Sequence, residues 1–335
     1  MKVIGAGFGR TGTVSIYAAL TELGYKVLHL KTIIQMNQLP IWRKIIRLKN
    51  TINYIQNYVL YYDDNRDRHT RSVDPGLQKY LYEQQKRKER YEAKMIHLLL
   101  KATQDYDAIV DHPGCNFYKE LARLYPSATI LLSVRDDKDY AQSVINTLSK
   151  MAHFFAHPVY GSSLVMWFVP NNMIDFYWVI KHFREPTAEL KWSEVHLRFR
   201  FPDDMRNKEK LKECFNRHNQ GVVDLFRTNS DVFLTKRLLV YKVEQGWDPL
   251  CKKLNLQIPN TTFPKLNDTK QQKSMLIGMY VIACTIILFL LGSFTALLFS
   301  KYWLSGGLIL ILIIFKQFMN YILIPWQIKK ILKRD

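Results

Sequence analysis

The 335-residue chain is expected to form an α/β fold of three layers, a central, mostly parallel sheet between helices, followed by a C-terminal transmembrane helical hairpin. Three observations predict it. The opening Lys2 to Ser15, KVIGAGFGRTGTVS, runs from a short β-branched stretch through four glycines into a helix-like segment. Apolar runs at Tyr106 to Val110 and Ala128 to Val134 alternate with helix-like stretches, as strands buried on both faces of a parallel sheet do. Met275 to Ser300 is an uncharged apolar run of 26 residues, more than the roughly 20 that a bilayer core requires.

The N-terminal loop reads as an anion cradle. Glycines let the backbone turn through positive φ and present N–H groups, while the following helix aims its positive end at the same point. Arg10 and the hydroxyls of Thr11, Thr13 and Ser15 add side-chain donors. The loop begins within ten residues of Met1, so no signal peptide is expected before it, and the domain is expected to be made in the cytosol.

Three phosphate-loop readings fit in part. Gly7, Gly9 and Gly12 match the dinucleotide pattern G-x-G-x-x-G, and Gly7 and Gly12 match the outer frame of a Walker loop. The Walker loop needs Lys and then Ser/Thr after its last glycine, and Thr13 and Val14 stand there instead, which disfavours NTP hydrolysis. A dinucleotide site wants an acid about 20 residues on, but the next strand-like run, Tyr25 to Leu30, ends in His29, Leu30 and Lys31; NAD is disfavoured, and NADP could use the base. The third reading places the cation inside the loop, Arg10-Thr11-Gly12-Thr13, which suits a phosphosulfate. A strand-to-helix turn without a ligand is the plainer alternative.

Further along, the run Tyr106 to Val110 ends in Asp111-His112-Pro113, and Ala128 to Val134 ends in Arg135 with a helix-like stretch from Asp139 that carries Ser143. Ligands of doubly wound sheets bind beyond the carboxyl ends of the strands, where Arg10, Asp111, His112 and Arg135 are expected to converge. A surface ion pair from Arg135 to Asp136 or Asp139, and a turn or helix-capping role for Asp111, are the structural alternatives.

The loop, the block YDAIVDHPGCNFYKELARLYPSATILLSVRD and the later HNQGVVDLF, KRLLVYKVEQGWDPLCKKL and FPKLNDT together resemble the P-loop sulfotransferase superfamily, in its divergent branch that opens GAGFGRTGT. The likeness covers most of residues 1 to 270. It implies a P-loop-type fold and the donor 3′-phosphoadenosine 5′-phosphosulfate, PAPS. By resemblance Gly9, Arg10, Thr11, Gly12, Thr13 and Val14 hold its 5′-phosphosulfate, and Arg135 with Ser143, eight residues on, grips the 3′-phosphate. A planar guanidinium fork at a strand end suits that phosphate. Sulfuryl transfer places charge on equatorial oxygens and rests on positioning and cationic stabilisation, with Arg10 in that role. The base is expected at Asp111 or His112, with Asp111 preferred. Two departures from the better-known cytosolic enzymes are an Arg rather than a Lys in the loop and the lack of a basic-Lys-Gly triplet near the end of the domain.

A net charge of +19 asks for an anionic partner. No zinc-ligand spacing, recognition-helix signature or aromatic RNA-binding motif appears, so nucleic acid is not expected, and membrane lipid and PAPS account for the charge. Cys115, Cys214, Cys251 and Cys284 lie far apart, which fits a reducing compartment and packing roles, with no metal expected.

Two stretches are read more loosely. Ile41 to Lys94 is expected to be a solvated helix, its charge run at Gln84 to Arg90 facing water or anionic headgroups. Met151 to Phe183 is aromatic, broken by Pro158 and Pro170, and is expected to form core helices or a lid over an apolar acceptor.

Residues 271 to 335 are expected to be the membrane anchor, with helices at about 275–300 and 304–326. Lys316, Gln317 and Asn320 interrupt the second run, and Trp303 and Trp326 suit its interfaces. Lys270 and Lys273 precede the hairpin and Lys329, Lys330, Lys333 and Arg334 follow it, so a multi-pass protein with both ends in the cytosol is expected. The expected function is transfer of a sulfuryl group from PAPS to a hydroxyl or amine of a small-molecule or lipid acceptor. The alternatives are a non-catalytic scaffold or assembly subunit of the same fold and an NADP-dependent oxidoreductase. A membrane-protein partner or a second copy of the chain is a further candidate partner.

Overall fold

The computed structural model describes residues 1–69, 75–159, 203–227, 236–266, 269–299 and 313–319. Five parallel strands form one sheet in the order β2-β3-β1-β4-β5: β1 Val3–Gly5, β2 Val27–Leu28, β3 Ala108–Ile109, β4 Thr129–Ser133 and β5 Leu238–Tyr241. The first four lie inside the apolar runs that predict them. The fifth comes from the block KRLLVY, where no strand is predicted.

Alternation along the strands builds two cores. Val3, Ala108, Val110 and Leu131 point to one face, against Ile16, Ala19 and Leu20 of helix α1 (Thr13–Glu22) and Trp247, Leu250 and Cys251 of a helix at Trp247–Leu254. Ile4, Ile109, Ile130 and Leu132 point to the other. There they meet Ile33 of α2 (Leu30–Gln35), Trp42, Ile45 and Ile52 of α3 (Leu39–His69), Leu99 of α4 (Pro75–Thr103) and Leu121 of α5 (Gly114–Leu124). Helices on both faces of a parallel sheet leave no strand face for water, which is why these strands read as unbroken apolar runs. After β4 come α6 (Asp137–Asn146) and α7 (Leu148–Ala156), and then α8 (Lys208–Arg227). The helix Trp247–Leu254 is α9, and Thr269–Phe299 is α10.

The stretch expected as one solvated helix is two, α3 and α4, packed lengthwise. The charge run is a wet face, as Lys86–Glu89 (3.6 Å) and Lys88–Glu92 (3.7 Å) show, whereas Met95, Leu99 and Ala102 at the end of α4 are buried.

Within α10, Lys273–Gly292 is long and apolar enough to cross a bilayer, with mean hydropathy 2.5 and 22% of that window buried. Its inner stripe, Met279, Ile282, Ala283 and Ile286, is buried in the main core at helical spacing, and Tyr280 meets the Phe154 ring of α7 edge-on at 4.8 Å. Its outer side leaves Ile277, Val281, Leu288 and Leu291 exposed. A helical stretch at 313–319 lies against it, Phe315 stacked on Phe289 at 3.8 Å. The remainder of the second expected span, Trp303 and Trp326 included, lies outside the described residues, as does 160–183 of the expected lid.

Candidate functional site

β1 sits between β3 and β4, and the chain passes over it from one to the other. A crevice therefore opens beyond the carboxyl end of β1, the place where doubly wound sheets bind ligands. The glycine loop fills its floor. Ala6 O accepts a hydrogen bond from His218 Nε2 of α8 at 2.7 Å, and the Phe8 ring stacks on His218 at 3.9 Å. Thr11 Oγ1 donates to Phe8 O at 2.7 Å, so in its 2.6 Å contact with Ser133 Oγ the serine must be the donor. Arg10 (φ 77°) and Gly12 (φ 85°) both take left-handed backbone. At Gly12 a side chain is also barred by space, since an added Cβ would collide with the Val243 side chain.

Among the described residues no side chain caps α1, which starts at Thr13 directly after this turn. Its leading N–H groups have no helical acceptor and remain available to an anion. They open onto a cleft of about 540 Å³ whose walls include Arg10, Thr11, Gly12, Thr13, Val14, Arg135 and Ser143. Val243, Glu244, Lys265 and Leu266 complete it on another side.

Three of the expected donor-binding residues are joined to one another. Arg135 Nη1 donates to the carbonyl of Arg10 at 3.0 Å, and Arg10 Nε donates to Ser143 Oγ at 3.0 Å. Arg135 also lies 3.8 Å from Asp139, itself largely exposed, so the surface pair considered from sequence exists beside the loop contact and contributes little. Asp136 fixes the start of α6, and so the placement of Ser143, by accepting from Lys138 N at 2.9 Å and Asp139 N at 3.1 Å. Those backbone donors hold its carboxyl below the usual carboxylate range.

Asp111 and His112 are buried beneath the loop and are not among the residues that line this cleft. Asp111 takes left-handed backbone (φ 63°), and its Oδ2 lies 3.3 Å from His29 Nε2. His29 Nδ1 accepts from Lys31 N at 3.0 Å and caps α2, which leaves Nε2 to carry the proton of the neutral ring. Asp111 Oδ1 is buried and finds no hydrogen bond among the described residues. It lies so near Gly9 that an added Cβ there would stand 2.6 Å from it.

His112 is oriented differently. Its Nδ1 lies 2.7 Å from Asn116 Oδ1 and 3.2 Å from Cys115 Sγ; with the amide oxygen, an acceptor, the nearer partner, we assign the ring proton to Nδ1 and the lone pair to Nε2. That is the tautomer a general base needs.

Of the remaining loop hydroxyls, Ser15 also lines the cleft, and its Oγ accepts from Leu266 N at 2.9 Å. Sequence reasoning also did not single out Lys265, Glu244 or the partnership of His29 with Asp111. His29 was visible only as a base where a dinucleotide site wants an acid. Among the described residues, no group of three or more His, Cys, Asp or Glu side chains is arranged to hold a metal ion.

Comparison with known proteins agrees with this architecture. The chain is 25% identical over 267 residues to the Ava biosynthesis cluster protein M of Aspergillus versicolor, covering 79% of this chain and 80% of that protein. A family model described as a sulfotransferase domain matches residues 2–272. Five parallel strands, a glycine loop leading into α1 and a cation-lined cleft beyond β1 are the frame on which that match falls, and the chain belongs to the sulfotransferase domain family.

Proposed function

We propose that this protein is a membrane-anchored sulfotransferase that takes the sulfuryl group from PAPS and passes it to a hydroxyl or amine of an apolar or lipid acceptor. The family points to sulfuryl transfer. The observation that carries the donor assignment is the cleft itself, in which the Arg10–Ser143 and Arg10–Arg135 contacts gather two guanidinium groups beside the uncapped start of α1. The site suits a doubly phosphorylated nucleotide: it offers a dipole end, backbone N–H groups and planar donor forks, and glycine stands where a side chain would intrude.

PAPS, when bound, supplies an activated sulfuryl group whose bond to the bridging phosphate oxygen breaks as the bond to the acceptor oxygen or nitrogen forms. The residues of the chain do the rest. The α1 N–H groups, Thr13 and Arg10 hold the phosphosulfate, with Arg10 neutralising charge on the transferring oxygens without itself giving up a proton. Arg135 and Ser143 hold the ribose phosphate. His112, with Asn116 fixing its tautomer, takes the acceptor proton at Nε2, and Asp111, close beside Gly9, is the alternative base. The exposed side of α10 supports the anchor, and the basic residues Lys270 and Lys273 before it support a cytosolic domain.

A scaffold of the same fold is the second reading, favoured by one observation: neither Asp111 nor His112 lines the cleft. Calorimetry with 3′-phosphoadenosine 5′-phosphate, PAP, tests the donor site, and turnover of labelled PAPS separates enzyme from scaffold. Binding without turnover of any hydroxyl or amine acceptor, lipid extracts included, would favour the scaffold.

A further inference from the structure

We infer that Lys265 is a third donor-binding cation of this cleft and that Ser15 is the residue that positions it. The inference rests on the reading of the cleft as a PAPS site. It starts from the strap that follows α9. Asn255 ends that helix in left-handed backbone (φ 53°), and the chain then runs without regular structure to Leu266.

Four fixings hold the strap against α9 and along α1. Trp247 Nε1 donates to Thr261 O at 2.9 Å, and the hydroxyl of Thr261 bonds the carboxylate of Glu22 at the end of α1. The Phe263 ring meets Trp247 edge-on at 4.9 Å. At the far end, Ser15 Oγ accepts from Leu266 N at 2.9 Å and faces Leu266 O at 3.4 Å.

The last fixing decides where Lys265 goes. Ser15 lies in the first turn of α1 and is buried. A bond from its side chain to the backbone of residue 266 sets the neighbouring residue against the same helix start that offers its N–H groups to an anion. Lys265 and Leu266 accordingly line the cleft with Arg10 and Arg135. Glu244 is the one acid among the described residues that line the cleft. A nucleotide with two phosphate-type groups calls for more positive charge than two guanidinium groups already bonded to Ser143 and to a loop carbonyl. A lysine supplies it as a point charge on a flexible stem.

The test is calorimetry of PAP binding to the full-length protein in lipid nanodiscs at low and high salt. Lys265→Ala is expected to weaken PAP by about tenfold at low salt, and the loss shrinks at high salt because an exposed charge is screened. Lys265→Arg retains most of the affinity. Lys79→Ala, an exposed lysine of α4, controls for net charge and leaves PAP binding unchanged. Ser15→Ala weakens PAP by several-fold, and the Ser15→Ala/Lys265→Ala double variant loses no more than Lys265→Ala alone, a non-additivity that general damage to α1 would not give. If the wild type binds PAP and Lys265→Ala binds it equally at low salt, the inference is overturned. If the wild type does not bind PAP at any salt, the donor reading itself falls.

Discussion

Arg135 Nη1 donates to the carbonyl oxygen of Arg10 at 3.0 Å, joining residues 125 positions apart in sequence. The bond crosses from the end of β4 to the loop after β1, so the guanidinium holds the loop and faces the cleft at once. Arg135→Ala is expected to lower PAP affinity by between about tenfold and a hundredfold, the range of charged hydrogen bonds. Arg135→Lys will not restore it, because an ammonium cannot fork to both partners. Calorimetry measures both; equal affinity in Arg135→Ala would remove Arg135 from the site.

Gly9 and Asp111 are in steric register, with 2.6 Å between an added Cβ and Oδ1. Gly9→Ala should therefore destabilise the fold by about 1–3 kcal/mol, the cost of overpacking. In an Asp111→Gly background, where the left-handed backbone is tolerated, the same change should cost much less. Denaturant melts of the four proteins measure this coupling.

His112 and Asn116, 2.7 Å apart, predict a split between binding and chemistry. His112→Ala is expected to reduce PAPS turnover by about 10²- to 10⁴-fold while PAP binding changes little. Asn116→Ala gives a smaller rate loss through the tautomer. A turnover loss confined to Asp111→Asn, with His112→Ala active, would transfer the base to Asp111.

The carboxyl of Asp136 is held below its ordinary range by backbone N–H donors in the folded protein. A depressed folded pKa stabilises above the unfolded value and loses that contribution as pH falls through the folded one. The Tm gap between wild type and Asp136→Ala should be full near neutral pH and shrink as the pH falls below the unfolded carboxylate value, closing once the folded carboxyl is also protonated. A gap independent of pH would show that the cap acts without its charge.

Two cysteines report on the membrane and the core. Burial pushes the Cys214 thiol up to about 11, so at neutral pH it is a protonated and slow nucleophile. Cys284 is exposed on the outer side of α10. A water-soluble maleimide should leave Cys284 unlabelled in nanodiscs and label it after detergent denaturation. Rapid labelling in nanodiscs would place that helix in water.

Much of the fold was legible because it rests on local periodicity. Val3-Ile4, Ala108-Ile109 and Ile130-Leu131-Leu132 are apolar without interruption since each strand is covered on both faces, and that leaves a mark on consecutive residues. The glycine loop was legible for a similar reason: φ at Gly12 and space at Gly9 restrict residue type one position at a time. The apolar run of α10 announces itself by composition alone.

What the chain alone did not reveal are relations between distant segments. A serine in the first turn of α1 looks like one more anion donor, and only the fold shows that it also holds the backbone of Leu266. His29 looks like a misplaced base until β2 and β3 pair and set it 3.3 Å from Asp111. Sequence determined the first four strands, the loop and the apolar helix, because those depend on neighbours along the chain. Only tertiary structure decided which hydroxyl holds a distant backbone, which carboxylate has a partner and which lysine reaches the cleft, because hydrogen bonds and charge pairs are fixed by distance in space.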